Sequence, residues 1–252
     1  MTAFDNRLPG LLKSGRVLKG MFIGMPSPAL VEMAGYAGFD MVIIDNEHGN
    51  SSLESTEHMI RAAKGVGIIP IVRTLESSIL HVLDIGASGI KIPAVNTAEK
   101  ARRVVAAAKY PPVGTRGAAF SARAAGYGFF GGEPQAKAAN EGTAVIIMIE
   151  TLEAIENLDE ILAVPGIDCA FVGPNDLSFS MGYPTQVRHP EVKAAVEGAI
   201  RRIRAKGVAA GVVAINNEDA KHFKEVGANY LTTSWHVVVM TAFKGVSAAL
   251  TV

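Results

Sequence analysis

The chain has 252 residues, 49% of them apolar, and its 24 basic and 24 acidic residues cancel to a net charge of zero. That length suits one large domain with a sizeable core, and neutrality gives no electrostatic footprint for nucleic acid or an anionic membrane surface, so neither is expected as a partner. The single cysteine, Cys169, excludes an internal disulfide framework and a cysteine zinc cage and reads as a small buried hydrophobe. No apolar h-region opens the chain and no apolar run is long enough to cross a bilayer, so the expected location is the cytoplasm.

A short β-branched run followed by an amphipathic helical stretch recurs along the sequence. In chain order the expected strands are Lys19–Ile23, Phe39–Asp45, Ile68–Arg73, Gly89–Pro93, Ala144–Glu150, Asp168–Gly173, Ala209–Ala214 and Asn229–Thr232. The helices expected after them are Pro28–Tyr36, Leu53–Lys64, Ser77–Ile85, Ala98–Lys109, Leu152–Ala163, Glu191–Lys206, Glu218–Val226 and Val237–Leu250. Gly38, Gly67, Gly89, Gly166, Gly207 and Gly227 stand before strands, where glycine ends a helix cheaply. The strands are continuous apolar runs without alternation, the mark of burial on both faces in a parallel sheet. Eight such units predict a single (β/α)8 barrel spanning residues 1–252. A doubly wound sheet is the alternative, but it wants a glycine-rich phosphate turn after its first strand, and Gly24-Met25-Pro26-Ser27 is not one. The rhythm breaks at about residues 110–142, where glycine and proline cluster in a long insertion. It is expected to leave the helix bottoms and is long enough to cover the active face or a neighbouring subunit.

Barrel chemistry sits at the carboxyl ends of the strands. The second strand ends in Asp45-Asn46-Glu47-His48, the third in Arg73, the fifth in Glu150, and the sixth runs into Gly173-Pro174-Asn175-Asp176. Glu150 and Asp176 come from adjacent strands and carry oxygen donors with no cysteine near. That favours a hard cation, Mg²⁺ or Mn²⁺, with Co²⁺ a third option. Helix capping is the competing explanation for Asp176. Arg73 can neutralise a carboxylate or a developing enolate oxygen, or it can serve only as a salt bridge to Asp45 or Glu47. His48 suits a general base, the alternative being a solvated loop residue. His58, His81, His189, His222 and His236 read as ordinary loop or helix residues. The turn Gly173-Pro174-Asn175-Asp176-Leu177 offers backbone N–H groups at a helix start, a place for a substrate carboxylate. Metal, helix start and Arg73 together describe a pocket for a small 2-oxo acid. Lys91 is the one strand lysine that a Schiff-base mechanism could use. A sensor that binds 2-oxo acids without turnover is the non-enzymatic reading.

At these residues the chain resembles the HpcH/HpaI aldolases, metal-dependent class II pyruvate aldolases related to the phosphoenolpyruvate/pyruvate barrels. The resemblance runs through Ala37-Gly38-Phe39-Asp40, Ile44-Asp45-Asn46-Glu47-His48, Val72-Arg73, Leu83-Asp84-Ile85-Gly86, Tyr110-Pro111-Pro112-Val113-Gly114-Thr115-Arg116-Gly117, Ile149-Glu150-Thr151 and Val172-Gly173-Pro174-Asn175-Asp176-Leu177-Ser178. It implies an aldehyde-lyase acting on a 4-hydroxy-2-oxo acid to give pyruvate and an aldehyde. Glu150 and Asp176 would be metal ligands, His48 the base, and Arg73 the enolate stabiliser. Asp84 would raise the basicity of the histidine, with Asp45 completing the catalytic set. The backbone at Asn175 and Asp176 would take the pyruvate carboxylate. Asp84 lies late in its helix and can reach a His48 only across a subunit interface. The likeness also implies a homo-oligomer, typically a hexamer, with the last helix exchanged between subunits. Met148 stands where the family often has Gln, Asn46 where it often has Gly, and Thr232-Thr233-Ser234-Trp235 is bulkier than the usual Val-Gly. An enolate-condensing synthase of the citrate-forming, siderophore-pathway kind therefore stays open beside the aldolase.

Overall fold

The computed structural model describes residues 4–251. Eight parallel strands close in sequence order into a barrel, β1 pairing with β8. They are β1 (Leu18–Ile23), β2 (Met41–Asp45), β3 (Ile69–Arg73), β4 (Gly89–Ile92), β5 (Ala144–Ile149), β6 (Cys169–Val172), β7 (Ala209–Val213) and β8 (Tyr230–Ser234). The expected (β/α)8 barrel is therefore the fold, and the doubly wound alternative falls.

Eight of the helices follow the strands: α2 (Pro28–Tyr36), α3 (Leu53–Gly65), α4 (Ile79–Asp84), α5 (Ala98–Ala108), α7 (Leu152–Glu156), α10 (Pro190–Ala205), α11 (Asn217–Val226) and α12 (Trp235–Ala249). Their starts are chemically specified. Ser27, Ser52, Thr97, Thr151 and Asn216 each accept a hydrogen bond from the amide three residues on. Each such cap contributes ~1 kcal/mol. Gly38, Gly67, Gly166, Gly207 and Gly227 take the left-handed conformation expected of helix-ending glycines. Gly89 does not: it opens β4, and Gly86 makes the turn instead.

Two helices escaped the sequence reading. One is α1 (Leu8–Lys13), whose Leu8 and Leu12 are buried in the barrel interior and plug its amino-terminal end. The other is α6 (Gly132–Gly142), inside the insertion. The expected helix Leu152–Ala163 is divided at Asn157 into α7 and α8 (Leu158–Leu162). The helix start expected at Asn175 and Asp176 belongs to α9 (Pro174–Ser180). The insertion packs on the amino-terminal end of its own barrel. Lys109 Nζ donates to the carbonyls of Asn140 and Thr143 at 2.7 and 2.6 Å, and Arg123 Nη1 to that of Ile85 at 3.0 Å. Within the chain it covers none of the face where strand ends carry charge.

The interior is filled by side chains from alternate positions, among them Phe22, Ile43, Ile71, Ile146, Met148, Phe171 and Tyr230. Two glycines make room for the rings. A Cβ on Gly20 would lie 2.9 Å from Ile43 Cδ1 and 3.0 Å from Tyr230 Cε2, and one on Gly211 would lie 2.9 Å from Tyr230 Cδ1 and still closer to the Phe171 ring.

Candidate active site

Strand parity decides what faces the barrel axis, because side chains two apart share a face. Residues in the parity of Phe22, Asp45, Arg73, Met148 and Phe171 point inward, and at the carboxyl end they open into a cavity of about 510 Å³. Its wall includes Asp45, His48, Arg73, Gly173, Pro174, Asn175 and Asp176, the residues singled out from sequence, together with Phe22, Gly24, Met148, Phe171, Val213, Ser234, Trp235 and His236. His236, read from sequence as an ordinary residue, thus belongs to the pocket. The apolar members could have been found by counting two residues back from the polar ones: Met148 from Glu150, Phe171 from Gly173, Phe22 from Gly24.

Arg73 makes both of the ion pairs weighed for it. Nε and Nη2 donate to the two oxygens of Asp45 at 2.9 and 2.6 Å, and Nη1 lies 3.1 Å from Glu47 Oε2. Burial works to raise the Asp45 pKa, but the Arg73 fork outweighs it and holds the carboxyl below its ordinary range. Burial likewise opposes the Arg73 charge, and Asp45 and Glu47 more than restore it. The backbone amides of Glu47 and His48 also donate to Asp45 Oδ1, which fixes the loop that carries His48. The His48 ring itself is 68% exposed, with Nε2 3.8 Å from Glu47 Oε2.

Glu150 stands behind Gly173 at the edge of the cavity, 6% exposed. Its Oε1 accepts from the Ala94 amide at 2.6 Å. Ala94 sits in the left-handed region at φ 50, a strained conformation for a residue with a Cβ, and that turn aims the amide at the carboxylate. Burial pushes the Glu150 pKa up, and the Ala94 amide only partly offsets it. Asp176 is close enough for its charge to raise it further, as does that of Glu47. Among the described residues no cation donates a hydrogen bond to Glu150. A desolvated carboxylate facing a second carboxylate, with no counter-ion in contact, is what a hard divalent cation would complete. Among the described residues no group of three or more His, Cys, Asp and Glu gathers as a metal cage. These two side chains would then leave most coordination positions to water or substrate.

Two expected residues lie elsewhere. Asp84, at the end of α4, pairs with Arg116 of the insertion at 2.7 Å, toward the amino-terminal side of the barrel and away from His48 of the same chain. Lys91 is fully buried, and its Nζ lies 2.9 Å from the Phe171 ring centre and 4.2 Å from that of Phe22, with no hydrogen-bond partner. Burial holds its pKa well below the ordinary lysine value, and Arg73 adds to the effect. It lies under the pocket floor and does not line the cavity. A Schiff base there would require both rings to move. Cys169 is buried, with its thiol pushed up to about 12, and is chemically inert.

A 2-keto-3-deoxy-L-rhamnonate aldolase of Escherichia coli (strain K12) is 41% identical over 224 residues, covering 87% of this chain and 83% of that protein. A solved HpcH/HpaI aldolase/citrate lyase family protein from Burkholderia cenocepacia superposes with a TM-score of 0.92 at 28% identity, over 97% of this chain and 99% of the other. A citrate synthase, SbnG, superposes at 0.85 with 31% identity, over 96% and 95%. Residues 18–240 match the HpcH/HpaI aldolase/citrate lyase family model, so the chain belongs to that family and is an enzyme of the aldolase, carbon–carbon lyase type.

Proposed function

We propose that this enzyme is a divalent-metal-dependent aldolase that reversibly cleaves a 4-hydroxy-2-oxo acid into pyruvate, or a similar 2-oxo acid, and an aldehyde. The observation that carries the reading is the pairing of the desolvated Glu150 with Asp176 beside the Arg73 pocket. These two carboxylates would hold Mg²⁺, Mn²⁺ or Co²⁺. A cation bound there supplies Lewis-acid stabilisation of the negative charge that grows on a keto oxygen when the neighbouring carbon–carbon bond breaks. The backbone at Asn175 and Asp176 would receive the substrate carboxylate, with Gly173 leaving space for its approach. Arg73 keeps N–H donors in excess of its three carboxylate contacts, and these would steady developing oxyanion charge. The exposed His48 ring is free to swing to the substrate's hydroxyl and take its proton, directly or through water. The location proposed is the cytoplasm; among the described residues no helix is long and apolar enough to cross a membrane.

A homo-oligomer, hexameric as the family likeness implies, fits the outer surface. Helix α12 has no buried residue and exposes Val238, Met240, Phe243 and Val246. A second apolar cavity lies at its base, between α2 and β1. Exchange of α12 between subunits would bury both surfaces and is the arrangement that would bring Asp84 of one subunit toward His48 of another. Light scattering should give a mass several times that of the chain, and Phe243→Glu should lower it; a monomeric parent protein would refute the exchange.

The function is tested with pyruvate and an aldehyde panel in Mn²⁺ or Mg²⁺. Aldol formation should disappear in EDTA and return with the cation, and borohydride with pyruvate should leave no adduct on the protein. Full activity in EDTA with a borohydride adduct on Lys91 would refute the metal reading. The likeness to a citrate synthase favours one second reading, an enolate-condensing synthase on the same site. Turnover of acetyl-CoA with oxaloacetate, together with inertness toward every aldehyde, would establish it instead.

A further inference from the structure

The loop at residues 93–97, between β4 and α5, is clamped to the β5 chain on both sides of Glu150. The Val95 amide donates to the Met148 carbonyl at 3.2 Å, and Thr151 Oγ1 donates to Asn96 Oδ1 at 2.9 Å. Just ahead of these clamps, Ala94 holds its φ of 50 and gives its N–H to Glu150 Oε1. The other carboxylate oxygen, Oε2, lies 3.0 Å from where a Cβ on Gly173 would stand, and Gly173 lines the cavity. The loop therefore ties up one oxygen and leaves the other toward the pocket.

An alanine at positive φ relaxes unless something holds it. Lys100, half-buried in the first turn of α5, supplies the hold: its Nζ donates to the carbonyls of Pro93 at 3.1 Å and of Ala94 at 2.9 Å. The Pro93 carbonyl belongs to the same peptide unit as the Ala94 N–H. That one peptide thus stands between an ammonium on its carbonyl side and a carboxylate on its amide side, and hydrogen bonds in such a chain polarise and strengthen one another. The placement of Lys100 runs against local preference. Thr97 caps α5, and Lys100 fills the third helical position, where a capping box has Glu or Gln and where the helix dipole disfavours a cation. The two carbonyl contacts are what this departure from the local rule secures.

We propose that Lys100 is a positioning residue for Glu150: it holds the peptide between Pro93 and Ala94 in its strained orientation, so that the Ala94 N–H fixes Oε1 while Oε2 stays presented to the cavity and to a divalent cation. The proposal rests on the reading of Glu150 as a ligand of that cation. Lys100 acts only through the peptide it holds.

Equilibrium dialysis against Mn²⁺ tests it with no turnover involved. Lys100→Met should fold, as judged by circular dichroism, and bind Mn²⁺ about 10–100-fold more weakly than the parent, the scale on which groups that orient a metal ligand act. Lys100→Arg, which can still donate to both carbonyls, should recover most of that loss. Arg103→Met removes ion pairs to Glu76 and Glu99 from the same helix and should leave Mn²⁺ affinity unchanged. In an Ala94→Gly background, where glycine takes the positive φ without strain, Lys100→Met should cost several-fold less. Affinity in Lys100→Met equal to that of the parent, an equal loss in Arg103→Met, or an undiminished loss in the glycine background overturns the proposal. Lys100→Gln carries the same comparisons if the methionine variant does not fold. Glu150→Gln dialysed beside them separates the two readings. Loss of Mn²⁺ in Glu150→Gln with full retention in Lys100→Met overturns the proposal alone, and tight Mn²⁺ binding by Glu150→Gln overturns both.

Discussion

A Glu150→Gln protein is expected to fold and yet lose both divalent cation and turnover. The substitution keeps the shape and the acceptor for the Ala94 amide while removing the charge. With one anionic ligand gone from a two-carboxylate site, equilibrium dialysis against Mn²⁺ should show no stoichiometric binding. Aldol cleavage should fall by about 10³-fold, the rate equivalent of ~4 kcal/mol of lost Lewis-acid stabilisation. Stability should move the other way. The Glu150 pKa is raised by burial in the metal-free fold, so the folded state holds its proton more tightly than the unfolded chain does. Metal-free parent protein therefore loses stability as the pH rises from the ordinary value of 4.5 through the raised folded one. Glu150→Gln removes that slope and should melt at or above the metal-free parent near neutral pH. Retention of tight Mn²⁺ binding by the variant would overturn the assignment of Glu150 as a ligand.

Arg73→Met should be the most damaging single change to the fold among the pocket residues. It leaves Asp45, nearly buried, without its two charged hydrogen bonds and Glu47 without its ion pair. Removing one partner of a buried pair costs about 3–5 kcal/mol, much of it the stranded charge. Urea denaturation at neutral pH should show a loss of that size, and activity should drop by at least about 10²-fold. Asp45 supplies a sign to check. Its folded pKa is lowered, so its contribution is present above the ordinary 3.8 and is lost as the pH falls through the lower folded value. The gap between parent and variant should narrow over that acid range. Adding Asp45→Asn to Arg73→Met should recover part of the stability and none of the activity. A variant as stable as the parent at neutral pH would show that the pair contributes nothing net.

The barrel was legible because each strand is a continuous apolar run followed by a helical stretch, and eight such units in succession have few other uses. What escaped was short or disguised. Helix α1 has six residues, too few to display a period, and α6 is masked by Gly132, Pro134 and Gly142. The pocket's polar half was visible at the strand ends, because Asp45 and Arg73 close buried runs and Asp176 opens the helix after β6. The apolar half was not, since Phe22 and Phe171 look like any core residue until strand parity is fixed. The same holds for Lys91. Its place on β4 was clear, but its depth beneath two rings follows from side chains on β1 and β6, far away in sequence.

The two interior glycines give this enzyme a particular evolutionary character. Phe171 and Tyr230 occupy space that Gly20 and Gly211 vacate, so neither side of the exchange can change alone. Enlarging a glycine drives a Cβ into an aromatic ring or into Ile43, while trimming Phe171 to alanine leaves a void worth about 3–5 kcal/mol. Lineages that repack the barrel interior beneath the cavity must therefore cross a valley or take two steps together. Positions 20, 171, 211 and 230 are expected to change together.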